Sequence, residues 1–129
     1  MDEVITIADW WDGPRLGMAA YGEETCIYER IFSEEKDDYL NQYYLTPISC
    51  EQRQQIIIEW EEWIQWMACS PTQERAVQWH DSGKALDYKS IARHSPDYRK
   101  YVKDAEFYGN QPQNFCSPIK NYYVRWKDI

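Results

Sequence analysis

Chemistry in this chain would have to come from carboxylates, tyrosine and tryptophan. Glu34, Glu35, Asp37 and Asp38 crowd one short stretch. Hard cations need several oxygens at ordered spacing. The Asp-x-Asp-x-Asp-Gly order is missing and Lys36 interrupts the run, so a solvated hairpin loop or an acidic partner-binding patch is expected instead. Asp9, Asp12 and Glu29, with Tyr28 beside them, could line a ligand pocket if the fold brought them together. Acid–base work by such a set requires environments that split the carboxyl pKa values. Asp12 reads more simply as a turn residue, and Glu29 as one half of an ion pair.

Other catalytic signatures are not found. His80 and His94 stand fourteen residues apart, with no His-x-x-x-His motif. No serine occupies a Gly-x-Ser-x-Gly elbow, and the 5 glycines are scattered rather than gathered into a phosphate loop. Cys26, Cys50, Cys69 and Cys116 form no Cys-x-x-Cys pair. Free, mostly buried thiols are expected, with no metal, cofactor or catalytic residue assigned.

Charge points towards partners. Net charge is −8, but residues 1–70 hold 15 acids against 4 bases, and residues 71–129 hold 7 against 10. An acidic first half disfavours nucleic-acid phosphates and anionic membranes and suits a protein with a basic surface. The basic surplus after residue 84 is diluted by acids, so nucleic-acid binding is not expected. Trp10, Trp11 and Trp66 extend this reading. Adjacent strand positions face opposite sides, so Trp10 and Trp11 cannot both enter one core. Core or second-layer packing is the first reading of these tryptophans, and exposed tryptophan beside acid is a candidate hot spot. The candidate partner-binding set is Glu34, Glu35, Asp37, Asp38, Glu59, Glu62, Trp66 and Trp11. A homo-oligomer in which acidic and basic halves meet is the other association to consider.

The elements that must position these residues follow from periodicity. One domain over residues 1–129 is expected from length. Residues 3–11 alternate as a strand, with Val4, Thr6, Ala8 and Trp10 on one face and Ile5, Ile7, Asp9 and Trp11 on the other. Asp12-Gly13-Pro14 makes a turn. Residues 15–21, 25–32 and 39–46 supply three more strands in an antiparallel meander, with Gly17 a bulge or close-approach point. Ser49 with Gln52 forms a capping box for a helix over about 50–69. On its wheel Ile56, Trp60, Trp63, Ile64 and Met67 share the core arc, while Trp66 and Ile58 lie off it. Thr72 caps a helix near 73–81, with Gly83 just past its end. Residues 84–94 read as irregular or a short helix. Ser95-Pro96 predicts another helix, striped by Tyr98, Tyr101, Val102 and Ala105. Two final strands are expected at 106–108 and 121–127, joined by a loop with Pro112 and Pro118. The acidic start Met1-Asp2-Glu3 is unlike a secretory signal, and no run reaches the roughly 20 apolar residues of a membrane span. Cytoplasmic residence is expected.

The chain resembles a family of small uncharacterised bacterial proteins. The resemblance rests on Trp11-Asp12-Gly13-Pro14, Gly17-Met18-Ala19, Tyr28-Glu29-Arg30, Asp37-Asp38, Leu45-Thr46-Pro47, the helical Trp60, Trp63 and Trp66, Glu106-Phe107, and Val124-Arg125-Trp126. It covers residues 1–67 and, more loosely, the tail. Residues 70–96 depart, because Pro71 cuts the helix where the family's continues. The resemblance implies a fold unit and no reaction.

These readings give an α+β expectation. An antiparallel sheet, the N-terminal four-strand meander plus the C-terminal strand, packs against the long Trp-rich helix and shorter helices. The expected function is a non-enzymatic acidic interaction protein of immunity or inhibitor type. The alternative is a small-ligand binder or hydrolase with a pocket between sheet and helix.

Overall fold

A computed structural model describes residues 1–111 and 119–129. Pro112, Pro118 and the thiol of Cys116 fall outside these residues. The chain runs β1 (Asp2–Trp10), β2 (Pro14–Tyr21), β3 (Glu24–Ser33), β4 (Asp38–Pro47), α1 (Cys50–Ala68), α2 (Gln73–Asp81), α3 (Tyr88–Arg93), β5 (Tyr101–Gly109) and β6 (Tyr122–Lys127). The strands close into an antiparallel barrel in chain order, and β6 returns to pair with β1 through Asp2↔Val124 and Glu3↔Tyr123. This overturns the expected open sheet packed against a long helix.

Two features produce the difference. The first is β5, whose opening residues were expected to be helical. Ser95 ends α3 rather than starting a helix: its hydroxyl donates to the Ile91 carbonyl at 2.8 Å and its N–H to Ala92 at 3.0 Å. Arg99 then turns the chain at φ 53°, and its N–H donates to the Thr46 hydroxyl at 2.8 Å. Tyr101 and Ala105 are four apart, a spacing that shares a face in a helix and in a strand alike. Tyr98 and Val102, also part of the expected stripe, are exposed.

The second feature is that the barrel has its own core. Val4, Ala19, Cys26, Tyr28, Tyr43, Leu45, Ala105, Tyr122 and Val124 fill it, with Ile7, Phe107 and Trp126 packed alongside. A small barrel has an interior just wide enough for side chains to fill. Tyr43 meets Tyr28, Phe107 and Trp126 edge-to-face, with centroids 5.7–5.8 Å apart. That is the arrangement the ring quadrupole favours.

The helices leave β4 and return to β5, covering the outside of β1–β3. Ile56 of α1 and Tyr88 and Ala92 of α3 are buried with Met18 and Ile27. The expected capping box is present: Ser49 and Gln52 exchange hydrogen bonds of 2.9 and 3.1 Å. Thr72 caps α2 and Gly83 follows it at φ 77°. On α1, Ile56 and Met67 are buried, but Trp60, Trp63 and Ile64 are only half-buried. The expected core arc is thus a partial cover on the barrel wall.

The expected alternation of β1 fails for a local reason. Its register with β2 shifts between Val4 and Thr6, and again on each side of Asp9. Val4 and Ile7 therefore pack in the barrel, while Ile5 joins the layer under the helices. Thr6 faces α3, its hydroxyl 2.9 Å from that of Tyr88. Its carbonyl accepts the Tyr28 phenol at 2.8 Å. Gly17, opposite Tyr28, makes this possible. A Cβ there would stand 2.3 Å from the Thr6 carbonyl oxygen and 2.3 Å from the Tyr28 hydroxyl. Gly17→Ala is expected to cost about 1–3 kcal/mol by overpacking, and Tyr28→Phe about 1–3 kcal/mol by orphaning that carbonyl. Urea unfolding measures both; a Gly17→Ala protein as stable as the parent would contradict the close contact.

Candidate functional site

The β1–β2 and β3–β4 turns lie at the same end of the barrel, opposite the end from which α1 departs. Three large aromatics are exposed there: Trp10 at 40%, Trp11 at 59% and Phe32 at 47%. Phe32 is on β3, and the β1–β2 turn places Trp11 by backbone geometry. Asp12 and Gly13 take positive φ, 49° and 118°, and the Trp11 N–H donates to the Gly13 carbonyl at 2.8 Å. Gly adopts such angles without a Cβ clash, and Asp is among the few other residues that tolerate the first.

Two arginines tie the turns together. Arg30 donates to the Trp11 carbonyl at 2.8 Å, the Asp12 carbonyl at 3.0 Å and the Leu40 carbonyl at 2.6 Å. Arg15 forms a two-nitrogen ion pair with Asp9 and donates to the Tyr39 hydroxyl at 3.0 Å. Both guanidinium groups sit over the Tyr39 ring, at 5.3 and 6.0 Å, and Phe32 meets it edge-on at 5.1 Å. These contacts organise the rim.

The acidic residues join this end. Glu34, Glu35, Asp37 and Asp38 are all exposed on the β3–β4 hairpin. The loop closes through the Asp37 N–H on the Glu34 carbonyl at 3.3 Å, with Asp37 at φ 50°. Asp38 accepts from the Tyr39 N–H at 2.7 Å. So Trp11, Glu34, Glu35, Asp37 and Asp38 share one surface. Their cationic and aromatic supports, Arg15, Arg30, Phe32 and Tyr39, are not among the site residues expected from sequence, and Arg30 enters there only through the resemblance. No spacing signal marks them, because they meet only across strands.

Glu59, Glu62 and Trp66 are elsewhere, on α1. Glu62 is exposed. Trp66 is half-buried against α2: its indole N–H donates to the Arg75 carbonyl at 3.0 Å, and Arg75 donates back to the Trp66 carbonyl at 2.8 Å. Glu59 accepts from the Trp79 indole N–H at 3.2 Å. These contacts join two helices.

The alternative pocket residues are not brought together. The Tyr28 phenol is inside the barrel, where burial pushes its pKa well up, so it acts as a donor. Glu29, next in the strand, is 6% exposed on the outer wall and pairs with Arg99 at 3.1 Å. Asp9 is engaged by Arg15, and Asp12 is exposed on the turn. Burial also pushes the Cys26 thiol up to about 12, which removes the thiolate a nucleophile needs. Among the described residues no three His, Cys, Asp or Glu side chains are placed to hold a metal. Among them, too, no helix is long and apolar enough to cross a membrane.

Comparison with known proteins adds no assignment: no family model, no curated protein and no solved structure matches the chain.

Glu59 provides a test of how α1 and α2 join. Burial, opposed by the Trp79 hydrogen bond, raises its pKa above the ordinary carboxyl value. The folded state then holds the proton more tightly than the unfolded chain. Its contribution favours folding at low pH and is lost as pH rises through the folded value. Glu59→Gln keeps an acceptor for Trp79 and is expected to flatten the fall in stability as pH rises from about pH 4 towards neutrality. Glu59→Ala leaves a buried indole unpaired and should cost about 1–3 kcal/mol at neutral pH. Urea midpoints across that range decide it; identical profiles for all three proteins would refute the burial.

Proposed function

We propose that the chain is a non-enzymatic interaction protein, of immunity or inhibitor type, that docks a basic protein partner through this barrel end. The observation that carries the reading is the rim itself: three exposed aromatics on turns cross-linked by Arg15 and Arg30, beside four exposed carboxylates. Exposed aromatics on a rigid scaffold contribute binding without first being ordered, which lowers the entropy cost of association. Acidic groups at the edge speed encounter with a cationic surface. The uneven charge of the chain favours the same partner: 15 acids against 4 bases in residues 1–70. A cytoplasmic setting suits the free thiols of Cys26, Cys50 and Cys69.

The test is capture from lysate at low and high salt, followed by binding measurements on the partner recovered. Capture should fall steeply between about 50 mM and about 500 mM salt, because screening lengths shrink from over 10 Å to under 5 Å. Trp11→Ala should weaken binding by roughly 30-fold or more, as truncation of a hot-spot aromatic does. Glu34→Lys with Glu35→Lys should act mainly on the association rate. No specific partner at low salt, or a partner bound equally by Trp11→Ala, would refute the reading.

A further inference from the structure

The junction of α1 and α2 holds a second cluster that barrel-end docking does not use. The Trp79 ring centroid lies 5.9 Å from that of Trp63 and 6.0 Å from that of Trp66, with the planes inclined at 63° and 44°. Lys84, on the turn after α2, places its ammonium 5.6 Å from the Trp66 centroid and 5.5 Å from the Trp79 centroid. Both distances lie within the roughly 6 Å over which a cation is attracted to a ring face. Among the described residues Lys84 joins no ion pair. Its charge is thus placed by two indoles rather than by a carboxylate.

The surroundings suit a cation of another kind. Trp66 is fixed by its hydrogen bonds with Arg75, whose guanidinium stacks 3.9 Å from the ring centroid. Trp79 is fixed by its hydrogen bond to Glu59, which brings a carboxylate to the edge of the same ring. A primary ammonium is compact and strongly hydrated, with three donors that ring faces cannot fully satisfy. A quaternary ammonium has no such donors and spreads its charge over methyl groups that pack on indole, and cages of aromatics recognise it for that reason. Lys84 is exposed and follows Gly83, so its side chain can withdraw into solvent without disturbing either helix.

We propose that Trp66, Trp79 and Glu59 form a binding site for a quaternary ammonium group, occupied by Lys84 when no ligand is bound. The probe is tetramethylammonium chloride, titrated against sodium chloride at equal concentration, with the full chain observed by NMR through its indole N–H resonances. Tetramethylammonium is expected to shift the Trp66 and Trp79 signals saturably, and sodium to leave them in place. Lys84→Ala removes the competitor from an exposed position and should tighten binding roughly two- to fivefold. Glu59→Gln, in the Lys84→Ala background, should weaken it. The proposal is overturned if Lys84→Ala shows no saturable shift, if sodium chloride produces the same shift, or if all 7 indoles respond alike.

Discussion

Burying a phenol in a barrel requires a hydrogen-bond acceptor within its reach. Tyr28 and Tyr43 are both fully enclosed, and each donates to a main-chain carbonyl, Thr6 and Pro14. An unpaired hydroxyl in such a site is costly, so the acceptors are as necessary as the rings. The register shifts in β1 and the start of β2 after its turn supply them. Gly17 then has to be glycine so that Tyr28 can lie across β2 and reach β1. The interior aromatics, the irregular first strand and the glycine form one dependent set. The helices cover its outer wall and join it through Thr6 and Tyr88.

Much of the local structure was legible in the sequence. Four N-terminal strands, the Ser49–Gln52 box and the Thr72 cap are written in residue type and spacing, because each depends on neighbours a few positions away. What was not legible depends on residues far apart. Closure pairs Asp2 with Val124, and no local pattern announces that. Residues 101–105 carry a spacing common to helix and strand, and the decision falls to β4 and β6 on either side. The alternation of β1 misleads for the same reason, since a bulge is paid for by a partner elsewhere.

The candidate surface divides in the same way. The acidic hairpin and Trp11 can be picked out by composition, and the fold places them together. Arg30 cannot, because its part is to hold the Trp11 and Asp12 carbonyls across 18 or 19 residues of chain. Trp66 was notable for lying off the helix's core arc. The reason is a second helix that packs there, which a wheel drawn for one helix cannot contain.

The β1–β6 seam also bears on how the protein comes to be made. While β6 is still unsynthesised, a nascent chain that has folded its first five strands carries two open edges, one on β1 and one on β5. Open edges are templates for pairing with other chains. The β1–β6 pairings span almost the whole sequence, which makes them slow to find. The exposure to aggregation is therefore concentrated in the interval before β6 arrives.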